Sequence, residues 1–339
     1  MNLNKTLFMK YGTLILITLQ TTVLVLTLRY SRKTSSPNEA YINSTAVLLS
    51  EFVKFFICIV VIIYSESIGG LYYILKDEIF GKPKEFSKIL VPAFLYTVQN
   101  NLLFLALTNL DAATYQVTYQ FKIITTALFS RLILHKDLSS RQWFSLFLLM
   151  FGVIFVQWPN DNRQRSSSSI QMNENRLIGL FAIIISSLSS GFSGVYFEKL
   201  IKISKAQSLW IRNLQLALLS CMFSSFTIIL NDLDEMNIKG FFYVSIIVIH
   251  LINGLIILNQ SMKGYNSLTF MVIGLQAFGG ICVSLVMKYA DNILKGFATT
   301  ISIILSSLCS HFIFNDFSPS LNFLIGASLV VLSTMMYSF

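Results

Sequence analysis

The chain has 339 residues, 54% of them hydrophobic and only 12% charged, with mean hydropathy +0.67. A soluble domain carries about twice that share of charge, so a water-soluble globular protein is excluded. The net charge is +9, but the basic residues are scattered through the polar connections. That pattern argues for orientation of a membrane protein and against a nucleic-acid surface.

Apolar runs follow one another along the chain at 9–28, 46–64, 90–107, 112–134, 143–156, 177–197, 209–230, 241–258, 268–287, 293–314 and 323–339. Each approaches or reaches the roughly 20 residues that a spanning helix needs, about twice the length of a membrane β-strand. The runs therefore predict an all-α polytopic membrane protein. The first follows Lys5 and Lys10 and lacks a small-residue cleavage site, so it is expected to remain as the first span. Cys58, Cys221, Cys282 and Cys309 lie inside apolar runs without metal-ligand spacing and read as packing thiols. Pro37, Pro83, Pro159 and Pro319 fall between runs, and Pro92 lies near the start of one.

The polar loop 159–176, with its RQRSSSS stretch, divides the chain into halves 1–158 and 177–339. FSRLILHKDL (129–138), followed by Trp143, resembles LCSHFIFNDF (308–317), followed by Phe323, at an offset of about 179 residues. The halves read as two five-helix repeats. Because five is odd, the second repeat enters the membrane inverted. With ten spans and a cytosolic N-terminus, Lys and Arg divide 14 to 8 in favour of the cytosol, as the positive-inside rule requires. Lys54, Lys122 and Arg212 lie within spans. The run 241–258 is supernumerary, since a crossing there would invert every later span. It is expected to lie in the interface, form a re-entrant loop, or not belong.

Lys122 stands in YQVTYQFKIITTALF (115–129), near the predicted bilayer midplane. A charge there costs about 2.5–3.5 kcal/mol on insertion scales. At 100° per residue, Tyr115, Thr118, Tyr119, Lys122 and Thr126 share one arc. That stripe suits an anion against the ammonium and a planar base against a tyrosine; the alternative is a lysine paired internally or snorkelling. Glu51 and Lys54 share a face of the second span, as a self-neutralising pair or as substrate contacts. Gln99, Asn100 and Asn101 either glue helices or bind a base or sugar edge. Arg212 and Asn213 open the seventh span, where an arginine ordinarily anchors at the interface. Lys295 and Gly296 begin the ninth, as an orientation charge or as a phosphate contact at a helix N-terminus. His135, His250 and His311 are isolated, and no HExxH, GxSxG or intramembrane carboxylate pair is present. No catalytic or metal site and no cofactor is expected.

VQNNLLFLALTNLDAATYQVTYQFKIITTALF (98–129) and KYADNILKGFATTISIILS (288–306) strongly resemble the Golgi nucleotide-sugar transporters. So do QWFSLFLLMFGVIFVQWP (142–159), SSGFSGVYFEKLIK (189–202) and WIRNLQL (210–216). The branch is the one that carries UDP-N-acetylglucosamine, UDP-galactose and CMP-sialic acid. The resemblance implies the drug/metabolite transporter fold, with ten spans in two inverted repeats. It also implies exchange of a cytosolic nucleotide sugar for a lumenal nucleoside monophosphate across the Golgi membrane. Lys122 and Lys295 become phosphate and nucleotide contacts, and Gln99, Asn100, Asn101, Tyr115, Tyr119 and Asn213 become cavity residues. Glu51 and Lys54 match the family's charged pair on the second helix. KIITTALF favours UDP-N-acetylglucosamine, with UDP-galactose next and CMP-sialic acid after it. The partners implied are the two nucleotides and the lipid bilayer, with a homodimer or association with glycosyltransferases as further options. A general metabolite exporter of the same fold is the rival within transport, and two site lysines argue instead for an anionic cargo. An intramembrane glycosyltransferase would need carboxylates or metal ligands, and a seven-helix receptor does not fit the span count.

Two departures stand out. The family runs from GFF almost directly into GYN, whereas here 244–263, VSIIVIHLINGLIILNQSMK, intervenes. The chain also ends at Phe339, at the end of the last span, without the family's cytosolic tail. Removing 244–263 restores both spacing and topology, and Val-Ser can be written GTAAGT, a typical intron start. The segment is expected to be a retained intron. Sequencing the transcript should find an mRNA lacking it; a population that always encodes these residues overturns that expectation.

Overall fold

The computed structural model describes residues 2–34, 43–158, 176–203, 208–231, 267–314 and 319–338. The helices run in chain order α1 (Asn2–Thr34), α2 (Asn43–Ile74), continued by a π-helical segment (Leu75–Phe80), α3 (Pro83–Asn109), α4 (Ala112–Tyr119), α5 (Phe121–Leu134) and α6 (Ser140–Val156). They continue as α7 (Arg176–Ile203), α8 (Leu209–Asn231), α9 (Ser267–Tyr289), α10 (Asn292–Phe314) and α11 (Leu321–Ser338). Among the described residues, seven stretches are long and apolar enough to cross a membrane: Lys5–Ser31, Thr45–Asp77, Pro83–Leu107, Arg176–Ile203, Ser267–Tyr289, Asn292–Ile313 and Leu321–Ser338. The chain is a multi-pass helical membrane protein. The run 143–156 becomes the 17-residue α6, and the run 209–230 becomes α8. The apolar segment 244–263 lies outside the described residues.

The run 112–134 differs from the single span expected. It divides at Gln120, where the backbone tightens to i→i+3 hydrogen bonds: Gln120 N–H to Val117 O at 3.2 Å and Ile123 N–H to Gln120 O at 3.0 Å. Such a stretch is 3₁₀-like, in which residues three apart eclipse one another. No proline or glycine marks the place.

Short polar side chains start the helices. Asp111 accepts the Thr114 N–H at 2.9 Å and caps α4, and Asp291 accepts the Leu294 N–H at 2.7 Å and caps α10. The Thr114 bond holds the exposed Asp111 carboxyl below the usual carboxylate range. Ser139 and Gln142 form a capping box on α6, and Ser320 accepts the Phe323 N–H at 3.2 Å on α11. α2 is kinked at Ser67, whose φ of 68° and ψ of 170° belong to a region normally left to glycine, at a cost of about 1–3 kcal/mol.

The described chain forms two compact units. One comprises Met1–Thr22, Val91–Ala206 and Val283–Phe339; the other comprises Val23–Leu90 and Gln207–Cys282. In the first, α6 and α11 make the most extensive contact. Leu146, Leu149 and Val153 of α6 are buried with Val330 and Tyr337 of α11, against Ile293 and Phe297. A Cβ at Gly152 would lie 2.9 Å from Val330 Cγ2, and one at Gly326 would lie 2.5 Å from Val156 N and 2.6 Å from Gly152 O. The two helices touch backbone to backbone, the contact that holds helices together where lipid is as apolar as leucine. α5 packs on α7, where Thr125 Oγ1 donates to Ser187 O at 2.9 Å. α1 meets α10 through Thr18 Oγ1 to Ala298 O at 3.3 Å and Thr22 Oγ1 to Ser302 O at 3.5 Å. In the second unit α2 packs on α8, burying Leu48, Cys58 and Ile62 with Ile211, Leu214 and Ile228.

The clash at Gly326 is with backbone, which cannot swing aside. Gly326→Val is expected to cost about 1–3 kcal/mol of packing strain. It should lower the thermal midpoint of the solubilised protein by several degrees, whereas Gly296→Ala, with no atom within 4 Å of its Cβ position, should not lower it.

Candidate functional site

Lys122 is half-buried, and its Nζ lies 4.0 Å from the centre of the Tyr119 ring. The two residues are three apart on either side of the tightened turn at Gln120, a spacing at which side chains on a helix surface are neighbours. Tyr115, one turn earlier, stacks on Tyr119 with ring centres 6.0 Å apart and planes 21° off parallel. Gln99 Nε2 donates to the Tyr119 hydroxyl at 3.4 Å. Its Oε1 is buried and, among the described residues, makes no hydrogen bond. One cation, two stacked rings and an amide acceptor therefore meet on the faces of α3, α4 and α5.

Lys295 stands in the first turn of α10 and is close enough to Lys122 for the two like charges to act on each other. Gly296, beside it, opens on free space. The α10 N-terminus itself is occupied by protein: Asp291 takes the Leu294 N–H, and Glu198 Oε2 takes the Asn292 N–H at 2.9 Å. The expected phosphate contact at this helix end would thus be made by the Lys295 ammonium and not by the backbone N–H groups.

Two other lysines near the α9–α10 junction are paired with acids. Lys202 Nζ is 2.5 Å from Glu198 Oε1 and donates to Ala290 O at 2.8 Å. Lys136, in the connection after α5, pairs with Asp291. Burial opposes its charge, yet Asp291 beside it keeps the Lys136 ammonium above its ordinary value. Among the described residues, neither Lys122 nor Lys295 is in an ion pair.

The remaining predicted residues are placed as follows. Asn101 Nδ2 donates to Thr97 O of its own helix at 2.9 Å, and Asn100 is exposed. Three consecutive helical residues point about 100° apart, so they cannot all face one cavity. Glu51, Lys54 and Asn213 belong to the second compact unit. Glu51 Oε2 and Lys54 Nζ are 2.5 Å apart, and the Lys54 stem lies against Gly280, where a Cβ would be 3.1 Å from its Cδ. Asn213 is buried and donates to Leu209 O at 3.0 Å. Arg212 is no interfacial anchor. It is 2% exposed, with Nη2 3.4 Å from Glu85 Oε2 and Nη1 3.4 Å from Gln215 Oε1. Sequence reasoning passed over Glu198 and the Lys136–Asp291 pair. The available signal was an acid inside an apolar run, four residues before a lysine.

A solved crystal structure 12% identical in sequence covers 96% of this chain and 96% of its own, with a TM-score of 0.63, and shares the fold. The UDP-N-acetylglucosamine transporter of Rattus norvegicus is 46% identical over 334 residues, 98% of this chain and 95% of that one; the protein of the same description from Homo sapiens matches to the same extent. The UDP-galactose transporter of Schizosaccharomyces pombe (strain 972 / ATCC 24843) is 43% identical over 97% of this chain and 88% of its own. The family profile described as nucleotide-sugar transporter matches residues 5–338. With that match over almost its whole length, and with relatives that are transporters and not enzymes, the chain belongs to the nucleotide-sugar transporter family.

Proposed function

We propose that this protein is an antiporter that carries a UDP-sugar, UDP-N-acetylglucosamine before UDP-galactose, from the cytosol into the Golgi lumen in exchange for UMP. The observation that carries this reading is the pair Lys122 and Lys295, two ammonium groups within electrostatic range of each other and in no ion pair among the described residues. Two unmatched positive charges suit a nucleotide diphosphate. They equally suit a monophosphate, which carries about −1.5 to −2 at neutral pH. Charge-assisted contacts to phosphate are the strong ones. Tyr115 and Tyr119 offer the uracil ring a stacking face, and the bonding capacity of Gln99 suits its polar edge.

The proposed architecture is ten spans in two inverted repeats, with the N-terminus cytosolic. The Asp111 and Asp291 junctions support it. They are 180 residues apart, close to the offset of the sequence repeat, and each acid caps the next helix through the N–H three residues on. Asp111 begins the α4–α5 run, and Asp291 pairs with Lys136, which follows that run. The two junctions thus lie at opposite ends of it, as inversion demands. Helix pairing is reciprocal too: α5 packs on α7 and α10 meets α1, each a fourth span on the other half's first. Rocking the repeats would expose the lysines alternately to the two sides. An empty carrier leaves Lys122, near the predicted midplane, without an anion at a cost of about 2.5–3.5 kcal/mol, which slows its crossing and favours exchange.

Proteoliposomes preloaded with UMP, CMP or GMP and offered UDP-N-acetylglucosamine, UDP-galactose, CMP-sialic acid and GDP-mannose should take up the UDP-sugars against internal UMP. Absence of UMP-dependent uptake of every UDP-sugar overturns the reading. Lys122→Ala, with the protein still inserted, should weaken UMP binding roughly 10- to 100-fold, the worth of a hydrogen bond to a charged group. Unimpaired exchange by that variant returns Lys122 to a structural role.

A further inference from the structure

α7 meets both lysine-bearing helices with a single stripe of its surface. Ser187, Gly191, Gly194, Glu198 and Lys202 recur at steps of four, three, four and four, which is one helical face. The first two face α5. Thr125 Oγ1 donates to Ser187 O at 2.9 Å, sharing its one proton with Lys122 O at 3.0 Å. A Cβ at Gly191 would lie 2.6 Å from Thr125 Oγ1 and 2.9 Å from the backbone of Thr125 and Thr126. The last three face the α9–α10 junction. The Asn292 side chain fills the space of a missing Cβ at Gly194. Glu198, 1% exposed, takes the Asn292 N–H at 2.9 Å, while Lys202 holds the other carboxylate oxygen and Ala290 O. Glu198 is also near enough to Lys295 for the charges to act on each other.

We propose that α7 is a spacer fixing the distance between the Lys122 and Lys295 ammonium groups, and that Glu198 is the residue that positions Lys295. This rests on the reading of the two lysines as phosphate contacts. Glu198 touches no substrate in this scheme. Its carboxylate clamps the first turn of α10, three residues before Lys295, and its pairing with Lys202 ties that turn to the end of α9. An acid at this depth that served only as a countercharge would need no backbone N–H. The bond to Asn292 N is what makes it a geometric device.

The test is a double-mutant cycle on full-length protein, read as UMP affinity by thermal-shift titration and as KM and Vmax for UDP-N-acetylglucosamine exchange in proteoliposomes. Lys295→Ala alone should weaken UMP binding at least tenfold; if it leaves UMP affinity unchanged, the phosphate reading itself falls and this one with it. Glu198→Leu alone, which leaves the Asn292 N–H without its acceptor, should weaken UMP binding and raise KM about tenfold with a smaller change in Vmax, yet add less than about twofold in the Lys295→Ala background, since coupled residues are not additive. Glu198→Gln, whose amide oxygen can still accept that N–H, should lose less than Glu198→Leu. Independent, multiplying losses, or an unchanged UMP affinity in Glu198→Leu, overturn the positioning role while leaving the lysines as phosphate contacts. Should Glu198→Leu fail to insert, Lys202→Met, which removes the tie to Ala290 O, carries the same cycle with the same outcomes.

Discussion

Charge in a low-dielectric slab is the constraint on which this structure depends. An isolated ammonium there is expensive, and ordinarily it is matched by an acid or excluded. Within the spans Lys54 has Glu51 and Arg212 has Glu85, and near the α9–α10 junction Lys136 has Asp291 and Lys202 has Glu198. Lys122 and Lys295 break the pattern among the described residues. Lys122 gains a partial substitute in the ring face of Tyr119, an interaction of about 0.5–2 kcal/mol, too weak to replace an anion. On the proposed function, these two positive charges await a cargo that brings its own negative charge, as the phosphates of a nucleotide sugar would.

Holding two like charges close together needs a stiff frame, and lipid supplies no hydrophobic force between helices. The frame is made by removing side chains. Glycines at 152, 191, 194 and 326 let backbones or short polar groups touch where a methyl group would collide. Hydroxyls on Thr18, Thr22 and Thr125 then reach carbonyl oxygens of the neighbouring helix. Such bonds average about 0.6 kcal/mol in membranes, so their value here is direction and register more than strength.

Local features were legible in the sequence. The 100° period placed Tyr115, Tyr119 and Lys122 together, and ILKG marked Lys295. Long-range pairings were not. Lys136 and Lys202 count as orientation charges in a linear reading, and only folding brings Lys136 to Asp291, 155 residues away, and Glu198 to Asn292, 94 residues away. Arg212, two residues after Trp210, carries the composition of an interfacial anchor, and it is buried with Glu85, 127 residues distant, as its partner. Three adjacent amides read as one recognition surface, although helical geometry aims them in three directions. The break at Gln120 has no compositional marker because it is a change of hydrogen-bond register and not of residue type.

That break ties the geometry of the charge to the winding of one turn. From residue 119 to 122 a 3₁₀ turn advances a full circle over about 6 Å, whereas an α turn falls about 60° short of it and is about 1.5 Å shorter. Rewinding 117–123 as α-helix would swing the Lys122 ammonium off the Tyr119 face by that angle while each end of the run kept its caps. The angle between the Lys122 ammonium and the Tyr119 ring is therefore tied to the pitch of that single turn.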